Sequence, residues 1–270
     1  MTVNLDKKGL KSIINNYDFL YIDIWGVLHN GITLYKDAVD LLDQLEIYNK
    51  EYVLLTNAPR PNNTVINFLK KMGLEKSKSS KVYTSGEAAL NYLSKKLKSK
   101  KFFHLGPPRD FDLFKFFQKN KVKKIEDAEF LLCTGLFDNY QKLDFYKLLL
   151  SKNIKKNMVC TNPDLVVDRG NKREFCAGSV AKEFEKIGGK VIYFGKPFPL
   201  IYKLASKKSN KRVLCIGDNL NTDIKGANNL KFSSLFISGG IHKNESKSNL
   251  NKLFSSYNVK VDYIQSKLKW

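Results

Sequence analysis

The chain predicts an α/β protein built on a doubly wound parallel sheet, and two observations carry that expectation. Strand-like apolar runs alternate with helix-like amphipathic segments over most of the 270 residues. Several of the runs, such as 19–22, 52–55 and 213–216, are apolar throughout, as strands covered on both faces must be. Four of them also lead into polar groups: Asp23, Thr56 with Asn57, Lys196, and Asp218 with Asp223. Open α/β sheets bind ligands at the carboxyl ends of their strands, so these groups converge where chemistry is expected.

Taken in order, residues 5–16 have the spacing of a short amphipathic helix that leads into the first strand. Phe19-Leu20-Tyr21-Ile22 then ends on Asp23 and a loop containing Gly26. Residues 37–45 carry apolar side chains at helical spacing, 52–55 form a second strand, and 61–72 a helix stopped by Gly73. A third strand is expected at 81–85, and strands at 102–105 and 130–133 precede helices near 110–119 and 142–152. The strand at 158–160 runs into Thr161-Asn162-Pro163-Asp164, and a helix near 177–187 ends at Gly188-Gly189. Strands at 191–194, 212–216 and 234–237 follow, then a polar helix and a short strand-like piece within 250–270.

Composition narrows the class. With 43% hydrophobic and 27% charged residues the chain is globular. No apolar run approaches the roughly 18 residues of a membrane helix, and the first residues lack the apolar block of a signal peptide. Cys133, Cys160, Cys176 and Cys215 are widely spaced without a CxxC pair, as expected of reduced thiols in a cytoplasmic protein. The 47 Lys+Arg against 26 Asp+Glu give a net charge of +21. The lysines are spread along the whole chain with no accompanying nucleic-acid motif, so no specific nucleic-acid or membrane partner is expected.

Each strand-end residue type has a task in phosphoryl transfer. A carboxylate such as Asp23 can attack phosphorus and form an aspartyl-phosphate. Thr56 and Asn57 can donate hydrogen bonds to phosphoryl oxygens, and Lys196 sets a compact positive charge against them. Asp218 and Asp223 are hard oxygen donors that suit Mg²⁺ better than zinc or copper. The stretch from Gly189 to Lys196 is not a P-loop: five residues separate its glycines, and Pro197 stands where Ser or Thr is required.

The four motifs in this order resemble the haloacid dehalogenase (HAD) superfamily of phosphohydrolases. Motif one is Asp23-Ile24-Trp25-Gly26-Val27, motif two Thr56-Asn57, motif three Lys196, and motif four Gly217-Asp218-Asn219-Leu220-Asn221-Thr222-Asp223. The sequence is most similar to the class IIA branch, in which an α/β cap lies between motifs two and three. That resemblance implies a core at 1–85 and 190–270 and a cap at 86–189. It also implies a Mg²⁺ site formed by Asp23, Asp218, Asp223 and the backbone carbonyl at Trp25. Thr161-Asn162-Pro163-Asp164 is similar to a cap sequence of that branch, so Asn162 and Asp164 are expected on the substrate side.

One position departs from the pattern. Active members carry a second aspartate two residues after the nucleophile, as acid for the leaving oxygen and base for water, and here that residue is Trp25. His29 is the nearby candidate for a replacement. The leading expectation is therefore a Mg²⁺-dependent hydrolase of small phosphorylated metabolites. The alternative is a weak or inactive phosphate-ligand-binding protein, and a metal-free dehalogenase is disfavoured by the intact Asp218/Asp223 pair.

Overall fold

The computed structural model describes residues 2–169, 172–206, 211–247 and 249–270. Among these residues the strands form a seven-stranded sheet, a four-stranded sheet and a hairpin. In chain order the strands are β1 (Val3–Asn4), β2 (Phe19–Ile22), β3 (Glu51–Thr56), β4 (Val82–Thr84), β5 (Phe102–Leu105), β6 (Phe130–Cys133) and β7 (Asn157–Cys160). They continue with β8 (Val166–Arg169), β9 (Lys172–Phe175), β10 (Lys190–Tyr193), β11 (Val213–Gly217), β12 (Ser233–Ile237) and β13 (Tyr263–Gln265).

The large sheet has the order β1-β13-β12-β11-β2-β3-β4, and every pairing in it is parallel. From β2 the chain winds outward through β3 and β4; from β11 it winds the other way through β12 and β13. The order therefore reverses between β2 and β11, where Ile22 stands opposite Ile216. That switch point is the crevice in which doubly wound sheets hold their ligands. All four residues of β2 are buried, which is why the sequence shows an apolar run instead of an alternating one. Leu41, Leu42 and Leu45 of the helix Lys36–Ile47 pack under one face, while Ile201 and Tyr202 belong to a cluster with Phe19 and Tyr21 on the other.

The small sheet, β10-β7-β6-β5, is also parallel throughout. Helices Leu143–Ser151 and Ala177–Lys186 contribute Tyr146, Leu150, Val180 and Phe184 to one of its packed clusters. Phe102, Phe114, Phe117 and Phe130 belong to another. β10 corrects one expectation. Residues 190–193 were assigned to the second core segment, yet they pair with β7 in register Lys190↔Asn157. An apolar run of this length reads alike in either sheet, so its partner is invisible in the sequence.

Two expected helices are instead short 3₁₀ turns. Within 5–16 the turns are Leu10–Ser12 and Ile14–Asn16. Gly9, at φ +68°, precedes the first, and a Cβ there would meet the Trp270 carbonyl oxygen at 1.6 Å. In the second case Phe111, Phe114 and Phe117 turn inward at a spacing of three, and the turns are Pro108–Leu113 and Lys115–Asn120.

Candidate active site

Asp23 directly follows β2, and its backbone N–H donates to Ile216 O at 2.9 Å, so the crevice edge of the sheet fixes its position. The carboxylate meets the lysine that follows β10. Lys196 Nζ donates to Asp23 Oδ1 and Asp223 Oδ1, each at 2.6 Å, and to Leu55 O at 3.0 Å. Asp218 follows β11 and accepts from Ile241 N at 2.8 Å through Oδ2. Asp223 has both oxygens engaged, since its Oδ2 also accepts from Asn219 N at 3.1 Å. All four charged side chains are buried.

One oxygen each from Asp23, Asp218 and Asp223 lies within 4.8 Å of the others. Glycines clear the space these oxygens occupy. A Cβ on Gly26 or on Gly240 would stand 2.0 Å from Asp218 Oδ2, and one on Gly217 would stand 2.0 Å from the Asp223 carboxyl carbon. Burial, opposed in part by Lys196, pushes the Asp23 carboxyl up, and burial pushes Asp218 well up. Lys196 goes the other way. Burial would lower it, but the carboxylates of Asp223, Asp23 and Asp164 hold it above its usual range. One ammonium cannot balance three ionised carboxylates, and a hard divalent cation would. The donor set and its glycine cradle fit Mg²⁺.

The other expected residues sort themselves by what they touch. Thr56 ends β3, lines the cavity, and accepts from Ala58 N at 3.2 Å. Asn57, expected to donate hydrogen bonds to phosphate, lines the cavity, and both hydrogens of its side-chain amide are engaged within the protein. They go to Asp164 Oδ1 at 3.1 Å and Lys196 O at 3.0 Å, while Asn57 Oδ1 accepts from Lys196 N at 2.7 Å. Its side chain is thus a bracket for the lysine. Asn162 Oδ1 accepts from Asp164 N at 3.0 Å and shapes the turn that carries Asp164 into the site.

His29, the expected replacement proton carrier, borders the cavity, with one ring nitrogen engaged by the backbone. Its Nδ1 accepts from Gly31 N at 2.8 Å, and its ring packs edge-on against Trp25 and Phe68. Burial pulls its pKa down to about 4, so it is a neutral, turn-holding ring.

Trp25 also turns away from the acids. Its indole Nε1 donates to Asp168 O of β8 at 2.7 Å, and Arg169 lies over the ring at 5.4 Å. Arg173 of β9 closes the same contact: it holds Asp168 bidentately at 2.8 and 3.0 Å and donates to Ile241 O at 2.7 Å. Ile241 therefore grips Asp218 with its N–H and the hairpin with its carbonyl. The hairpin went unread in the sequence. Gly170-Asn171 between two short mixed runs was the signal that marks it.

Together these groups line a cavity of about 780 Å³ between the two sheets. Asp23, Asp218 and Lys196 border it, as do Arg60, Arg109, Asp164 and Lys243. No helix among the described residues is long and apolar enough to cross a membrane.

Known proteins resemble this chain in sequence and fold. Residues 20–117 match the family model described as haloacid dehalogenase-like hydrolase, and residues 193–268 match a HAD-hydrolase-like model. A 4-nitrophenylphosphatase of Schizosaccharomyces pombe is 25% identical over 271 residues, spanning 88% of this chain and 89% of that protein. The crystal structure of a haloacid dehalogenase-like hydrolase from Brucella suis superposes with a TM-score of 0.82 at 28% identity, covering 96% of this chain and 98% of that one. A possible sugar phosphatase from Cytophaga hutchinsonii shares the fold at a TM-score of 0.78 and 21% identity, covering 100% of this chain and 99% of its own. The chain belongs to the haloacid dehalogenase superfamily of hydrolases, among its phosphatases.

Proposed function

We propose that the protein is a Mg²⁺-dependent phosphomonoester hydrolase of small metabolites that works through an aspartyl-phosphate on Asp23. The observation that carries the reading is the Asp23–Lys196–Asp223 chain of 2.6 Å contacts beside Asp218, at the switch point of the sheet. Asp23 is the nucleophile. Lys196 opposes the burial that raises the Asp23 carboxyl and would face the transferring phosphoryl group. Thr56 borders the same space. Asp218, Asp223 and Asp23, with the Trp25 carbonyl, would hold the metal. Bound Mg²⁺ supplies charge neutralisation for the phosphoryl oxygens and the acids alike.

The cavity of about 780 Å³ suits a metabolite-sized ester rather than a macromolecule. The division into a core (1–85 and, after β10, the remainder to 270) and a cap (86–189 with β10) belongs to the same proposal, the cap supplying the wall that selects the substrate. A second reading, a phosphate-ligand-binding protein with little turnover, is favoured by Trp25, whose indole cannot exchange a proton at neutral pH. A phosphate-release screen over a metabolite panel, with and without Mg²⁺, decides between them. Release that requires Mg²⁺ is the expected result. Silence across the panel, with thermal stabilisation by a phosphorylated ligand, would establish the second reading.

A further inference from the structure

With Trp25 and His29 both committed elsewhere, the hydrolysis needs another proton carrier. An alkoxide leaving group must be protonated as it departs, and the water that clears the aspartyl-phosphate must lose a proton. A positioned acid–base is worth roughly 10²–10⁴-fold in such steps.

We propose that Asp164, carried by the four-stranded sheet, is the acid–base of this site; the proposal rests on the phosphatase reading above. Its placement is the main argument. Asp164 follows β7 and borders the same cavity as Asp23. Its Oδ1 accepts from Asn57 Nδ2 at 3.1 Å and faces Asn219 Nδ2 at 3.5 Å. Asn57 follows β3 and Asn219 follows β11, and these are the two strands that flank β2. The Asp164 carboxyl is therefore tethered on both sides of the strand that delivers Asp23. The Asn162 turn fixes its backbone.

The surroundings suit the task. Burial raises the Asp164 pKa to about 6, Lys196 opposes the rise, Asp223 adds to it, and hydrogen bonds from Asn57 and Thr222 oppose it. Asp23 feels the same carboxyl, as do the buried thiols of Cys160 and Cys176. A carboxyl poised there can give a proton and take one back near neutral pH.

The steps balance. As an Asp23 oxygen bonds to phosphorus and the ester P–O bond breaks, protonated Asp164 delivers its proton to the leaving oxygen, releasing an alcohol. Water then bonds to phosphorus as the P–O bond to Asp23 breaks, and the Asp164 carboxylate takes the water proton. Asp23 returns ionised and Asp164 protonated, with one water consumed and one phosphate released.

The test compares wild type and Asp164→Asn on glycerol phosphate, an alkyl ester, and 4-nitrophenyl phosphate, whose leaving anion needs no proton. The amide keeps an oxygen for Asn57 and Asn219, and circular dichroism checks the fold. The expected result is a ~10²–10⁴-fold loss of kcat on glycerol phosphate. On 4-nitrophenyl phosphate the variant should give a burst of about one nitrophenolate per chain before slow turnover. A pH limb seen in wild type on the alkyl ester should vanish in the variant. Equal loss on both esters without a burst, or no loss on the alkyl ester, would overturn the assignment and leave Asp164 as a tether between the sheets. Wild type that releases phosphate from no ester at all overturns the phosphatase reading itself, which is a different outcome. Should Asp164→Asn not fold, the wild-type profile decides: a limb on the alkyl ester that is missing from the first turnover of 4-nitrophenyl phosphate supports Asp164, and identical profiles refute it.

Discussion

The two parallel sheets are built alike and end differently. In the large sheet the central strands finish in Asp23, Thr56 and Asp218, all buried and all facing one cavity. In the small sheet β5 and β6 meet through His104 Nε2 and Thr134 Oγ1 at 2.9 Å, and the turn after β5 carries the buried Asp110, paired with Arg60 at 3.1 Å. Its other two strands, β7 and β10, deliver Asp164 and Lys196 into the large sheet's crevice. An α/β layer thus provides strand ends but not chemistry; the chemistry comes from which strand ends are charged and which of them meet. The small sheet walls the cavity along β5 and β6 and, through β7 and β10, completes the charged site of its neighbour.

The sharpest way to break this comparison is to remove charge from one edge. Asp23→Asn keeps the shape of the switch point but leaves no nucleophile, and turnover should fall by about 10³-fold or more. Retention of a tenth of the wild-type activity would show that the large sheet's edge does not carry the reaction. The next largest effect concerns the metal. Asp223 is tied to Lys196 and Asn219 N, whereas Asp218 uses Oδ2 on Ile241 N. By calorimetry, Asp223→Ala should weaken Mg²⁺ binding roughly 10–100-fold and Asp218→Ala more than that. The reverse order would misplace the ion within the cluster.

Acid sensitivity sets one buried ring of each region side by side. Burial lowers His29 to about 4 and, with a smaller contribution from Lys121, His104 to about 3. The unfolded chain protonates these rings near their ordinary value of 6.5, so below that pH it binds more protons than the folded protein. These two rings should therefore contribute a loss of stability as pH drops from about 6.5 toward 4, opposed by the raised carboxyls of Asp23, Asp164 and Asp218, and urea unfolding of the His29→Gln/His104→Gln variant should lose that contribution relative to wild type. A smaller effect is expected at the joint between regions. Trp25→Phe keeps a ring against Gly31 and His29 but loses the bond to Asp168 O. It should cost about 1 kcal/mol and speed proteolysis in the β8–β9 hairpin, while leaving the Asp23–Lys196 contact in place.

The same contrast explains what the sequence revealed. The continuous apolar runs and the polar groups behind them announced the large sheet and its switch point, because burial on both faces and a reactive edge each leave a local mark. Partnership between distant segments leaves none. Nothing in residues 190–193 tells which sheet they join, and nothing beside Asn57 tells that its side-chain amide bridges Asp164 and Lys196. Trp25 was legible as a departure from the motif. Its work as the indole that fastens the hairpin required the third dimension, since Asp168 lies far along the chain.

The central claim is that Asp23 receives the phosphoryl group. Rapid mixing of the Mg²⁺-loaded protein with a phosphate ester, acid quench and peptide mapping by mass spectrometry tests it directly. A phosphate adduct on Asp23, absent from Asp23→Asn, is the predicted result. A hydrolytically active wild type in which Asp23 is never modified, or in which Asp23→Asn turns over at an undiminished rate, would contradict it.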